Sequence, residues 1–212
     1  MARPKNTDAD VTRSRILNAA ALLFSRKGVH AVGMREIASE AGVTQPAIHH
    51  HFGTKDDLYD AVLEAMYLEL GKAGHEIQTA VLSAGSAHAA IDLGIRALYR
   101  FALAHRDAVI LALRESLDSS RKIRIARAQL LGGMLLEQGA QALSMLTGRH
   151  PSALRFSLLS LNFLMSRFVC LTPQERKLLL VPALPGTVKP SQIDTWVEDH
   201  LVDTAVRLLL GP

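Results

Sequence analysis

The spacing of turn residues between positions 12 and 58 constrains the fold more than any other feature of this chain. Two apolar helical stretches are separated by Ala41-Gly42-Val43, which reads as a tight glycine turn. Thr44 follows as a typical helix N-cap, and Pro46 falls in the first turn of the next helix, where its missing N–H breaks no hydrogen bond. A helix, a glycine turn and a second short helix form a helix-turn-helix, a motif that places a helix in the major groove of DNA.

Apolar spacing predicts an all-α fold for the whole chain. Strand signals are absent, and Gly, Pro or Ser stands at most joints between helical stretches. Residues 1–10 are polar and basic and are expected to form a flexible arm, whereas Gly132-Gly133 can mark a kink or a close helix crossing. We expect helices near residues 10–27, 34–40, 44–51, 54–73, 87–104, 108–116, 121–146, 151–170 and 191–209, and one helical turn at 174–180.

The positive charge of the chain is concentrated at its N-terminal end. Residues 1–55 carry eight lysines and arginines against four acidic residues, an excess that equals the net charge of +4 of the whole chain. The remaining residues, 56–212, therefore sum to zero. This distribution is expected if phosphate contacts supply much of the affinity of a DNA-binding segment.

Composition limits the class of protein. A hydrophobic content of 49% is ample for a packed core, and the most apolar region is interrupted by Arg155 and Arg167, which leaves a stretch too short to cross a bilayer. The N-terminus lacks the apolar core of a secretory signal, and a single cysteine, Cys170, excludes an intramolecular disulfide. We expect a cytoplasmic protein without a membrane partner.

The N-terminal quarter of the chain resembles the TetR (tetracycline-repressor-like) family of transcriptional regulators. The rest of the chain resembles that family only in its helical character and its length. The positions that carry the resemblance are Thr12-Arg13, Ile16-Leu17, Ala19-Ala20, Leu23-Phe24, Gly28, Ile37-Ala38, Ala41-Gly42-Val43, Ile48, His51-Phe52, Lys55 and Leu58.

The resemblance implies that the helix after Thr44 is the recognition helix. Gln45 can then bond an adenine edge through two hydrogen bonds, although it can equally be a solvated residue at the start of the helix. Lys55 lies at a helix N-terminus, where its ammonium and the free backbone N–H groups suit a phosphate. The expected DNA contacts are Thr12, Arg13, Arg35, Thr44, Gln45, Ala47, His49, His50 and Lys55.

The resemblance also implies a small-molecule effector bound between the C-terminal helices. We therefore divide the chain into a helix-turn-helix DNA-binding domain with a short basic arm, residues 1–55, and a helical ligand-binding and dimerisation domain, residues 56–212. Polar, aromatic or polarizable side chains within apolar helices are candidates for the ligand site, with ordinary packing as the alternative. These candidates are Phe101, Arg114, Met134, Asn162 and Met165.

Two C-terminal helices, near 153–171 and 193–209, are apolar over more of their surface than one buried face requires. Burial inside a single bundle and contact with a second subunit both explain this pattern, and the resemblance favours a homodimer. The expected interface residues are Leu158, Leu161, Met165, Phe168, Trp196, Val197, Leu201, Ala205 and Leu208.

The sequence offers no candidate catalytic residue, cofactor or metal site. The run His49-His50-His51 cannot converge on one ion, because consecutive helical side chains point about 100° apart. No nucleophile elbow, phosphate loop or HExxH pattern is present, and Cys170 falls in an apolar helix where an inert thiol is expected.

These features together predict a homodimeric, sequence-specific regulator that binds a palindromic site in double-stranded DNA. A repressor released by a small molecule is the commonest form in the family that it resembles. Two alternatives stay open. One is an all-helical small-molecule-binding or interaction protein with a vestigial DNA-binding module, and the other is an unrecognised enzyme.

Overall fold

The structure is a computed structural model that describes residues 5–118, 132–180 and 189–211, all of them in helices or short connections. Helical structure along these ranges confirms the predicted all-α fold. The helices are α1 (Lys5–Lys27), α2 (Met34–Ala41), α3 (Gln45–Phe52), α4 (Lys55–Leu82), α5 (Ala87–Ala104), α6 (Arg106–Asp118), a π-helical turn (Gly132–Glu137) that leads into α7 (Gln138–Thr147), α8 (Pro151–Cys170), α9 (Pro173–Leu180) and α10 (Pro190–Leu210).

Three helix boundaries differ from the sequence-based expectation. α1 already begins at Lys5, with Asp8 near the positive end of its dipole, so the arm expected at residues 1–10 is shorter than predicted. α4 continues past residue 73 to Leu82, because Gly71 and Gly74 are tolerated inside a helix that meets no proline. Gly132-Gly133 lies in the π-helical turn, and residues 119–131 of the helix expected at 121–146 are outside the described residues.

The described residues form two compact units. The first contains residues 5–70 and 107–118, and the second contains 71–106, 132–180 and 189–211. The first unit therefore includes the beginning of α4 as well as α6 from Asp107. The predicted division at residue 55, into a DNA-binding domain and a ligand-binding and dimerisation domain, stays a prediction, whereas the compact units divide within α4 after residue 70.

The core of the first unit is built from the apolar faces of α1, α2, α3 and the start of α4. Ile16, Ile37 and Ile48 are fully buried, one from each of the first three helices. Phe24 is also fully buried, and its ring meets the ring of Tyr59 edge to face, with the centroids 5.4 Å apart. These contacts fix the helix-turn-helix on a long first helix and on the beginning of α4.

The turn between α2 and α3 has the geometry that its sequence predicts. Gly42 adopts a left-handed conformation with φ of +63°, and Val43 N donates to Ala38 O, which ends α2. Thr44 caps α3 by accepting from Ala47 N. Arg15 on α1 donates to the carbonyl oxygens of Ala41 and Gly42, so a cation lies at the negative end of α2 and ties the turn to α1.

The second unit is a helical bundle in which α5, α7, α8 and α10 pack together. Leu154, Leu201 and Leu209 are among its fully buried side chains. Arg106 closes the C-terminus of α8 by donating to Val169 O at 3.0 Å and Cys170 O at 2.9 Å. α8 and α10 are thus core helices of this unit as well as parts of its surface.

By length and composition alone, α8 is apolar enough to cross a membrane. Leu154, Leu161 and Val169 are buried against neighbouring helices of the same unit, although only 22% of the apolar stretch of α8 is buried. Arg155 forms an ion pair with Glu137, as expected for a charged residue on the polar side of a bundle helix.

Candidate DNA-binding surface and effector pocket

Helix α3, the predicted recognition helix, is held in place by its buried face. Ile48 points into the core of the first unit, whereas Thr44, His49 and His50 are exposed. Gln45 and Ala47 are partly exposed. The residues predicted to face the groove therefore lie where a duplex can reach them, and their contacts with bases stay a prediction.

A chain of hydrogen bonds runs along the outer face of α3. Gln45 Nε2 lies 3.3 Å from His49 Nε2, one helical turn further on, and His49 Nδ1 lies 2.8 Å from Gly53 O. Gly53 has φ of +79° and ψ of −113°, a conformation that side-chain-bearing residues rarely adopt. A Cβ atom at this position would lie 2.9 Å from the Asp57 carboxylate, so two independent constraints require glycine.

Lys55 has structural partners in addition to its predicted role as a phosphate contact. Its ammonium donates to Val29 O at 3.0 Å and to Val32 O at 3.2 Å, and it thereby fastens the loop between α1 and α2 to the start of α4. The charge still lies at the N-terminus of α4, where a phosphate is also favoured by the helix dipole. Sequence reasoning missed these carbonyl partners, which come from residues 23 and 26 positions earlier in the chain.

The N-terminus of α4 is closed by its own residues. Thr54 N donates to the Asp57 carboxylate at 2.9 Å, and Asp57 N donates back to Thr54 Oγ1 at 3.2 Å. Hydrogen bonds from Thr54 hold the pKa of the Asp57 carboxyl below its usual value. This capping box fixes the position of Lys55 beside it.

The remaining predicted contacts lie on α1 and α2. The Arg13 guanidinium lies over the Phe52 ring, 5.1 Å from its centroid, and so joins α1 to the end of α3. Thr12 Oγ1 donates to Asp8 O within α1. Arg35 is exposed on α2. All nine predicted DNA contacts are at least partly exposed, so none is excluded by burial.

The three consecutive histidines have different neighbours. His49 is engaged with Gln45 and Gly53, and the rings of His50 and His51 are 5.7 Å apart with their planes at 70°. Within the ranges that the structure describes, no group of three potential ligands is close enough to hold an ion.

A pocket opens between helices of the second unit. Its free volume is about 680 Å³, including the space at its open mouth. Apolar side chains dominate its walls, and the hydrogen-bonding side chains among them are the amides of Gln78 and Gln138. α4, α5, α7, α8 and α10 all contribute, with Ile77 and Val81, Ile91 and Ile95, Leu143, Leu158 and Leu209 on the walls.

Comparison with known proteins identifies the N-terminal segment. The sequence model of the bacterial regulatory proteins of the tetR family matches residues 16–62, the segment from α1 to the start of α4. The HTH-type transcriptional regulator AcrR of Shigella flexneri is 41% identical over 78 residues, which are 37% of this chain and 36% of AcrR. The HTH-type transcriptional activator FasR of Mycolicibacterium smegmatis is 47% identical over 55 residues, 26% of this chain and 25% of FasR. The helix-turn-helix segment is that of the TetR family.

The sequence similarity between this chain and these two relatives covers about a third of their length or less. Similarity in fold extends much further. The crystal structure of the transcriptional regulator FadR from Bacillus subtilis in complex with stearoyl-CoA matches with a TM-score of 0.66 at 15% identity, over 94% of this chain and 98% of FadR. The helical fold of the second unit thus also occurs in a solved transcriptional regulator, although the sequence identity to that protein is low.

Four of the five residues that the sequence suggested for the ligand site do not line this pocket. Met165 is buried in the core, Phe101 stacks on His105, and Arg114 belongs to the first unit, where it donates to Arg26 O. Asn162 is partly exposed on α8, away from the lining, and the side chain of Met134 is outside the described residues. Unusual side chains in apolar helices were therefore a poor guide to this pocket.

Glycines inside apolar helices were a better signal for the pocket. Gly94 and Gly139 both line it, and each lies at a close helix contact. A Cβ atom on Gly94 would lie 3.1 Å from Val81 Cγ2, and one on Gly139 would lie 3.2 Å from Leu158 Cδ1. At these glycines the helices approach closely, whereas larger aliphatic side chains beside them hold the helices apart. The space left between the helices is the pocket.

The structure also corrects the expected dimer face. Five of the nine predicted residues are buried in the core of their own protomer and have no surface for a second subunit: Leu161, Met165, Val197, Leu201 and Ala205. Leu158 lines the pocket, and Phe168 is partly exposed beside His200. The most exposed large apolar side chains of α8 are Phe156 and Phe163, and those of α10 are the predicted Trp196 and Leu208. Both helices are apolar on several faces, so periodicity alone did not identify which face of each helix is exposed.

Proposed function

We propose that this protein is a cytoplasmic, homodimeric transcription regulator of the TetR family that binds a palindromic DNA operator and is released from it by a small molecule. One observation carries the DNA-binding part, namely a capped, rigidly seated α3 whose Gln45 and His49 face outward while Ile48 is buried. The net positive charge of the first 55 residues supports the same surface. Repression is proposed because it is the commoner mode in this family.

Two copies of α3 are needed to read two successive major grooves, whose centres are about 34–36 Å apart. The exposed apolar side chains Phe156, Phe163 and Trp196 on α8 and α10 supply a surface that a second copy can cover. We expect the purified protein to have the mass of a dimer in solution, and Phe156→Glu combined with Phe163→Glu to give a monomer.

Selection of bound sequences from a random DNA library tests the proposed function. The purified dimer is used at about 150 mM salt, where non-specific phosphate binding is partly suppressed. A two-fold symmetric motif is the expected result. If a folded dimer enriches no sequence, the proposal is wrong and a ligand-binding protein with a vestigial DNA-binding module becomes the better description.

Two substitutions are expected to separate phosphate contact from base contact. Lys55→Ala should weaken binding to operator and random DNA alike and lower the slope of log affinity against log salt by about 1, since one phosphate contact is lost. Gln45→Ala should leave affinity for random DNA unchanged and blur the preference at one base pair of each half-site. Fluorescence anisotropy at four salt concentrations measures both. Equal effects of the two variants on specific and random DNA would contradict this division.

The pocket is the proposed effector site. Its apolar walls disfavour a charged ligand, whereas the amides of Gln78 and Gln138 can bind a neutral polar group. We therefore propose an uncharged, mainly aliphatic effector. The stearoyl-CoA complex of FadR supports only the aliphatic part of this proposal, because a protein of the same fold binds a molecule with a long aliphatic chain whose CoA group is charged.

α4 connects the pocket with the DNA-binding surface along the chain. It begins at Lys55 and contributes Ile77, Gln78 and Val81 to the pocket walls. We propose that the effector shifts α4 and thereby changes the separation of the two recognition helices in the dimer. Switching operator occupancy from 99% to 1% requires that the effector prefer the released form by about 5.5 kcal/mol. Identical separations with and without effector, at lowered DNA affinity, would contradict this mechanism.

Three probes of equal chain length test the class of effector. We expect 1-decanol to raise the melting temperature and to lower operator affinity more than decanoate or decylamine does. Ala142→Phe, which fills the pocket from α7, should abolish the response to 1-decanol, whereas Gln141→Ala on the exposed side of α7 should retain it. A stronger response to either charged probe would contradict an uncharged effector. Recovery of chemically altered ligand would favour an enzyme instead.

A further inference from the structure

The orientation of the Gln45 side-chain amide is fixed by its neighbours on α3. Gly53 O is a carbonyl oxygen and can only accept, so the proton in its contact with His49 belongs to Nδ1. In the neutral imidazole, Nε2 then carries a lone pair and no proton. Gln45 must therefore turn its NH₂ group, and not its oxygen, toward His49 Nε2.

This arrangement determines what Gln45 offers to a base. One N–H of the amide is used by His49, so one N–H and the carbonyl oxygen remain for the groove. Adenine presents one acceptor, N7, and one donor, the N6 amino group, and matches this pair. Guanine presents two acceptors, N7 and O6, and one of them would face the amide oxygen of Gln45.

We propose that His49 is a positioning residue that sets the Gln45 amide and thereby makes α3 prefer adenine to guanine at one base pair of each half-site. The proposal rests on the proposed function and assigns His49 an action through Gln45 in place of a direct base contact. His49 itself is held by Gly53, whose backbone conformation fixes the carbonyl oxygen. The unit that reads the base is therefore Gln45, His49 and Gly53 together.

His49→Asn is the variant that isolates this role. The Asn side chain is short, so its amide can still donate to Gly53 O, but it does not reach Gln45. His30→Asn is the matched control, because His30 is an exposed histidine of the first unit that lies outside α3 and is not among the predicted DNA contacts. Affinities are measured on two operators, which carry adenine or guanine at the base pair that depends on Gln45. Each of the two variants is tested both in the wild-type protein and in the Gln45→Ala protein.

We expect wild-type protein to prefer adenine about tenfold or more, in the range of a good bidentate contact. His49→Asn should reduce this preference to about threefold or less, because the freed amide can turn both N–H groups toward guanine. His30→Asn should keep the wild-type preference. In the Gln45→Ala background, His49→Asn should change the ratio of the two affinities no further, since its action passes through Gln45.

Two results would overturn the inference. One is an unchanged adenine preference in His49→Asn, with helical content and random-DNA affinity as in the wild type. The other is an equal loss of affinity from His49→Asn in both backgrounds, which would mean that His49 contacts the DNA itself. Failure of the proposed function looks different, because wild-type protein would then select no operator.

Discussion

Replacing Phe24 with alanine should lower the stability of the first unit by about 3–5 kcal/mol, the usual cost of removing a buried aromatic ring. The ring is fully buried and meets Tyr59 edge to face, so its loss leaves a cavity between α1 and the start of α4. α1 also carries Arg15, which holds the α2–α3 turn. We therefore expect specific DNA binding to fall together with this stability.

Hydrogen exchange of the backbone amides in α1, α2 and α3 measures this effect locally. Val11→Ala is the matched control, because it also shortens an apolar side chain of α1 but at a position that is 54% exposed. It should change stability by about 0.5 kcal/mol or less. Protection factors in Phe24→Ala that equal those of the control would show that Phe24 does not hold this unit together.

Replacing Glu198 with alanine should lower the stability of the second unit by about 1–3 kcal/mol. Glu198 on α10 is buried, and it accepts two hydrogen bonds from Arg100 at 2.9 and 2.8 Å and one from Arg96 at 3.3 Å. Removing it leaves two guanidinium groups of α5 without their shared carboxylate. The cost stays below that of breaking a fully buried pair, because Arg100 is largely exposed.

The contribution of Glu198 to the stability of the second unit should decrease as the pH falls. The hydrogen bond from Arg100 holds the pKa of the Glu198 carboxyl below its usual value, so the folded state favours the charged form. The stabilisation is fully present above the pKa of an unfolded glutamate, about 4.3, and is lost as the pH falls through the lower folded value. Urea unfolding at pH 7 and pH 3 should therefore show a difference between wild type and Glu198→Ala that shrinks in acid.

Asp199→Ala is the control for the Glu198 experiment. Asp199 accepts from Arg96 at 2.7 Å, but its side chain is 52% exposed, and exposed pairs contribute about 0–1 kcal/mol. A Glu198→Ala variant no less stable than Asp199→Ala at pH 7 would contradict the role that we assign to the buried carboxylate.

The helix-turn-helix could be predicted from sequence because its determinants are local. The φ of Gly42 and the cap of Thr44 follow from residue types within one turn of each other. The partners of Lys55 could not be predicted in this way, since they depend on the path of the loop between α1 and α2. A local pattern fixes which end of a helix a residue occupies, but not which distant carbonyl comes near it.

The C-terminal half was harder to predict for a different reason. Helices such as α8 and α10 are apolar around most of their circumference, so periodicity identifies no single inner face. Val197 and Trp196 are neighbours in sequence, yet one is buried and the other is at the surface. The pocket depends on how closely helices approach at Gly94 and Gly139, which is a property of the packed bundle.

Gly53 has a consequence for how such proteins acquire new operators. It lies outside α3, yet its carbonyl oxygen contacts His49, and its lack of a Cβ atom leaves room for the Asp57 carboxylate that caps α4. A substitution in this turn could alter base preference without changing any side chain that touches DNA. If operators were predicted from the residues of α3 alone, two proteins that differ only in this turn would be assigned the same operator.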